Sequence, residues 1–181
     1  IADYNYVFDP VVYLRRFFDS KNKDSIALVD EAHNLVERGR DMFSAEVYKE
    51  SYLAIAKTFQ SIAPDVKKAA QKVNRAFLGY KNAHKSEFED YGYITGHEMP
   101  ESMLSAMQSF CSSAEEELRK EAYGSLRDEL LDCYFDTLRF LRTADNFDVD
   151  YAVLFQLEAK KHCLKLYCVD PSRKLGEGFD R

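Results

Sequence analysis

Apolar residues recur every three or four positions along most of this chain, and only its two ends leave that rhythm. Between residues 44 and 146 the pattern is helical. Ser44, Val47, Tyr48, Tyr52, Ile55 and Phe59 mark one amphipathic helix. Pro64 and Asp65 open a second, whose apolar face is Val66, Ala69, Ala70, Val73, Ala76, Phe77 and Tyr80. Residues 86–99 break the period and predict a loop with a short extended piece. Pro100 opens a third helix, with Met103, Leu104, Met107, Phe110, Cys111, Ala114 and Leu118 inward. Gly124 marks a break, and Leu126, Leu130, Cys133, Tyr134, Leu138 and Leu141 form a last long face.

The ends read differently. "ADYNYVFDP" is rich in β-formers and reads as the tail of a strand. Pro10 then opens a helix with Val11, Leu14, Phe17 and Phe18 on one face, and "KNKD" is a turn. "SIALVD" is a continuous apolar run, the kind a parallel sheet buries on both faces, with a helix from Glu31 or His33. After "TADNFDVD" the period drops to two, and "YAVLFQLE" and "HCLKLYCVD" predict a hairpin joined at "AKK". "GEGFDR" reads as a polar loop. The fold class expected is mostly α, a helical bundle inserted into a small β/α remnant.

Composition narrows the function classes. The net charge is -6 and the pI about 5.3, so an overall basic footprint for nucleic acid is missing and any such contact is local. No apolar run approaches the roughly 18 residues of a membrane span. A signal peptide is absent too, which points to the cytoplasm and away from a membrane. Both ends read as cut, as in a fragment of a longer protein. Cys111, Cys133, Cys163 and Cys168 lack metal-ligand spacing and read as buried free thiols.

Chemistry concentrates in "ALVDEAHNL". An acid at the carboxyl end of a buried strand points into the crevice where α/β sheets bind ligands. Asp30 is placed to hold magnesium through its water shell, and Glu31 to orient or deprotonate a water. His33 follows on the first helical turn. A second candidate is a basic stripe, Lys67, Lys68, Lys72 and Arg75, continuing to Lys81 and Lys85, which suits phosphates of single-stranded DNA.

"DYNYVFDP", "ALVDEAHNL" and "LYCVDPS", in this order, resemble XPD/DinG-type helicases, the iron–sulphur branch of superfamily 2 DNA helicases. The resemblance spans the chain. It implies a DEAH strand and helix of a RecA-like motor over residues 1–40, a helical arch insertion over 41–146 and a hairpin returning to the motor over 147–181. It implies that Asp30 coordinates Mg2+ with Glu31 beside it, that Glu31 acts on the hydrolytic water, and that His33 couples the nucleotide site to the second motor domain. ATP, single-stranded DNA and the remaining helicase domains are the implied partners, with 5′-to-3′ movement in repair or replication. Tyr4, Asn5 and Tyr6 match a segment beside the motor core and receive no catalytic role.

A phosphate loop, G-x-x-x-x-G-K-[ST], is absent among the seven glycines. The chain alone is therefore not expected to hydrolyse ATP. The family's cluster-binding cysteines fall upstream of "DYNY", so an iron–sulphur cluster of the parent would not use the four cysteines here. The rival reading is a non-catalytic helical module that binds nucleic acid or protein, in which "DEAH" is an accident.

Overall fold

The computed structural model describes residues 3–9, 12–14, 28–120 and 124–179. The helix expected from Pro10 through Phe18, the "KNKD" turn and residues 25–27 of the apolar run lie wholly or mostly outside these residues. Among the described residues the chain is mainly helical with one four-stranded antiparallel sheet.

The elements follow in order. Helix α1 covers Asn5–Phe8; a 3-10 turn, Ala32–Asn34, leads into α2, Leu35–Phe43. Strand β1, Ala45–Tyr48, runs directly into α3, Lys49–Thr58. Helix α4, Pro64–Ala83, is followed by α5, Lys85–Tyr91, and β2, Tyr93–Gly96. Two long helices come next, α6, Glu101–Leu118, and α7, Ser125–Asp145. Strands β3, Tyr151–Glu158, and β4, Lys161–Cys168, form a hairpin, and α8, Ser172–Phe179, closes the chain.

Local chemistry explains the boundaries. Pro64 starts α4 because its fixed φ suits the first helical turn, where its missing N–H is not needed. Gly92, at φ +77, ends α5 as a left-handed cap whose N–H donates to the Phe88 carbonyl at 2.9 Å. Ala159 and Lys160 both have positive φ, 46 and 68, as a two-residue type I′ hairpin turn demands. Its hand matches the twist of β3 and β4.

The sheet order is β1-β4-β3-β2. Ala45 pairs with Leu166, Val153 with Leu166, and Ile94 with Phe155. Val47, Val153, Phe155, Leu164, Leu166 and Ile94 point to one face and are buried against the helices. Tyr52, Phe59, Val73, Phe77, Met103, Met107, Phe110 and Phe140 fill the space between, giving the larger core. A smaller core lies at one end of the sheet, where Phe8, Leu35, Met42, Phe43, Tyr151, Cys168 and Leu175 meet.

Five expectations need correction. Ala45–Tyr48 is a strand, not the start of a helix, because Ala45 and Val47 alternate inward against β4. The stretch around Tyr4 is a short helix, not a strand tail. Lys85–Tyr91 is helical where a loop was expected, and Ser172–Phe179 is helical despite two glycines. Leu28 and Val29, the described part of "SIALVD", are not in a strand, and Leu28 is 94% exposed. A strand needs at least one hydrogen-bonded neighbour, and the sheet of the described residues places none beside them. The expected boundary at 40/41 falls inside α2, and the expected returning hairpin pairs with β1 and β2.

The two ends of the segment from Ser44 to Cys168 meet. The Cys168 N–H donates to Ser44 Oγ at 2.9 Å, and Arg40 Nε donates to the Val169 carbonyl at 3.1 Å.

Candidate functional site

Asp30, Glu31 and His33 are brought together on one exposed turn. The chain arrives through Val29, half-buried against the smaller core, and reverses at Asp30. Glu31 then takes a left-handed conformation, φ 51 and ψ 39, and caps the 3-10 turn at Ala32. For a residue with a Cβ this conformation costs about 1–2 kcal/mol, so the surroundings must hold it.

Three contacts do so. Asp30 Oδ1 accepts the Glu31 N–H at 2.9 Å, the Asn34 N–H donates to the Glu31 carbonyl at 2.9 Å, and the Tyr4 hydroxyl lies against the Asp30 and Glu31 carbonyls. Its distance to the Glu31 carbonyl is 3.2 Å. Glu31 Oε2 and His33 Nε2 are 3.3 Å apart, and both side chains are mostly exposed. Apart from the bond to the Glu31 N–H, the Asp30 carboxylate faces solvent.

Magnesium keeps several waters and needs only one or two carboxylates. An exposed Asp30 carboxylate with Glu31 next to it fits that demand, although the described residues hold no cluster of three or more ligating side chains. Tyr4 is the residue that sequence reasoning left without a role. Its aromatic ring signals only packing, and its contact with residues 26 and 27 positions away is not readable from spacing.

The basic stripe lies on α4, opposite the buried Val66, Ala69, Ala70, Val73 and Phe77. Lys68 is 3.6 Å from Asp65, with both side chains more than three-quarters exposed, a contact of little energetic weight. Lys72 donates to Ser109 Oγ on α6 at 3.1 Å. Arg75 is exposed and Lys67 half-buried. Lys81 has turned inward over the Phe88 ring, 4.5 Å from its centroid.

Lys81 also belongs to a half-buried relay. Its Nζ is 3.3 Å from His162 Nε2, and His162 Nδ1 is 3.0 Å from Glu50 Oε1. An ammonium only donates, so Nε2 accepts and Nδ1 carries the proton towards Glu50. Burial pushes the Glu50 carboxyl up, but the hydrogen bonds from His162 outweigh it and hold Glu50 below its ordinary range. A cleft of about 930 Å³ opens between α7, α8 and Asp9, lined by Arg139, Arg142, Arg173, Asp136 and Asp148. Asp30, Glu31 and His33 lie outside it.

The four cysteines are buried and free. Burial pushes Cys111 and Cys168 up to about 11, and Cys133 and Cys163 up to about 12. Such thiols stay protonated at neutral pH. Among the described residues no helix is long and apolar enough to cross a membrane.

Residues 1–52 match the family model DEAD_2, which supports a DEAD/DEAH-type helicase domain over that stretch. The match includes α1, the Asp30–Glu31 turn and α2, and stops within α3. No curated protein matches the chain.

Proposed function

We propose that the chain is part of an ATP-dependent DNA helicase of the XPD/DinG type, carrying the DEAH turn of a RecA-like motor and a helical arch. The observation that carries this reading is the Asp30–Glu31–His33 turn, lying in the segment that matches the helicase-related family. The joined ends at Ser44 and Cys168 support the arch: an insertion that leaves and re-enters a motor domain at one place needs adjacent ends. The motor side then ends with α2, the arch runs from β1 to the end of β4 and includes the hairpin, and α8 leads back, with the smaller core as the root.

In that motor Asp30 would hold magnesium through water, and the ion would supply charge neutralisation for the ATP phosphates. Glu31 orients the attacking water and takes its proton, which requires its carboxylate within hydrogen-bond reach of that water. His33, paired with Glu31, links the nucleotide site to the second motor domain. The phosphate loop and any iron–sulphur cluster come from other parts of the parent protein, because the chain's glycines and its buried thiols suit neither. Lys67, Lys68, Lys72 and Arg75 give the arch a local phosphate-binding stripe on an acidic molecule. The parent works in the cytoplasm, in repair or replication, moving 5′ to 3′ on single-stranded DNA.

The test is ATP turnover by the full-length protein, with and without single-stranded DNA. Glu31→Gln is expected to lower kcat by about 100-fold or more, the range that a positioned general base supplies. Lys68→Glu with Lys72→Glu is expected to reduce stimulation by DNA and flatten its salt dependence, leaving basal turnover unchanged. Full activity of the Glu31→Gln protein would remove the helicase reading and favour the non-catalytic module.

A further inference from the structure

The geometry assigns Tyr4 as a positioning residue for the Asp30–Glu31 turn, an inference that rests on the helicase reading above. Its hydroxyl reaches two consecutive carbonyls, those of Asp30 and Glu31, from a separate element. One O–H shared between two carbonyls fixes both peptide planes at once. Those planes set where the two carboxylates point, because they flank the left-handed Glu31 backbone.

The contact is not a loose surface bond. The Tyr4 carbonyl accepts the N–H groups of Val7 and Phe8, both at 2.9 Å, so Tyr4 is fixed to α1. Phe8 anchors α1 in turn. It is 1% exposed and lies so close to Gly178 of α8 that a Cβ there would sit 2.7 Å from the Phe8 ring. The Tyr4 ring packs against the smaller core, as does Val29 just before the turn. A path of direct contacts therefore runs from α8 through Phe8 and Tyr4 to the turn.

The hydroxyl and the ring do separable work. The Glu31 carbonyl keeps the Asn34 N–H when the hydroxyl is removed, so the 3-10 turn survives. The Asp30 carbonyl loses its hydroxyl donor. Glu31 is then free to relax towards the right-handed region, and its carboxylate swings away from the place it needs beside Asp30. Misplacement of about 1 Å in a positioned group can cost on the order of 100-fold in rate.

Tyr4→Phe in the full-length protein tests this, because Phe keeps the ring packing. Steady-state turnover of MgATP is measured beside Glu31→Gln and a thermal melt. The expected result is a kcat at least 10-fold lower, a KM for ATP within twofold and a melting temperature within about 2 °C. Faster amide hydrogen exchange at Glu31 in the Tyr4→Phe chain is expected alongside. A Tyr4→Phe kcat within twofold of the parent, with Glu31→Gln inactive, overturns the positioning role and leaves the helicase reading intact. Activity retained by Glu31→Gln overturns the helicase reading itself.

Discussion

At the scale of single residues, the buried pair of Tyr52 and Thr137 shows how direction decides cost. Both are almost fully buried, and their hydroxyl oxygens are 2.8 Å apart. Thr137 Oγ donates to the Cys133 carbonyl at 2.6 Å, so the Tyr52 O–H must be the donor between them. Tyr52→Phe removes a donor and leaves Thr137 still bonded, at a cost of about 1 kcal/mol. Thr137→Val strands the Tyr52 hydroxyl in the core and costs about 1–3 kcal/mol. Urea unfolding should therefore show Thr137→Val as the more damaging change. The double variant should lose less than the sum of the two, since no stranded group remains. Equal losses, or strict additivity, would show that Tyr52 has another partner. The spacing of Tyr52 revealed its inward face. Thr137 was invisible, because a polar residue on an apolar stripe gives no periodic signal. The left-handed Glu31 was equally hidden: its identity pointed to chemistry, whereas its conformation is set by Tyr4, far away in the sequence.

At the scale of elements, length separates what could be read from what could not. The 20-, 18- and 21-residue helices α4, α6 and α7 each repeat their apolar stripe several times, so periodicity located them and most of their buried residues. Strand β1 has four residues, and Val47, Tyr48, Tyr52 and Ile55 satisfy a helical period as well as a strand. What settles the matter is β4, more than a hundred residues further along. Helix α8 carries Gly176 and Gly178, each costing about 1 kcal/mol of helix propensity. It forms because Asp170 Oδ1 accepts the Ser172 N–H at 2.9 Å and because Leu175 is buried. The hairpin was legible, and its turn carries a correctable flaw. Ala159 and Lys160 adopt positive φ without the residues that favour it. Replacing them with Asn and Gly should stabilise the chain by about 1 kcal/mol. A higher urea midpoint at unchanged slope is the expected reading; a lower midpoint would mean that the turn is not of type I′.

At the scale of the molecule, the smaller core depends on charge as well as apolar contact. Helix α8 is tied to the start of β3 by Arg173, which reaches Asp148 and, at 2.7 Å, Asp150, and by Lys174, 3.0 Å from Asp148. Burial pushes the Asp148 carboxyl up, but the Asp150 N–H, Lys174 and Arg173 outweigh it and hold Asp148 below the usual carboxylate range. A carboxyl depressed in the folded state adds stability above its unfolded value, about 3.9, and loses it as pH falls through the folded value. Stability should therefore drop on acidification from pH 5 to below pH 3. Asp148→Asn should be less stable than the parent chain at pH 6 and converge with it in acid, so its melting temperature varies less over that range. Parallel pH profiles for the two proteins would place the acid sensitivity elsewhere. Because α8 also carries Gly178 against Phe8, loosening this tie should reach the Asp30–Glu31 turn before the larger core. Amide exchange at Glu31 should rise at a pH where Val73 and Phe110 remain protected, and simultaneous loss at all three would mean that the two cores unfold as one.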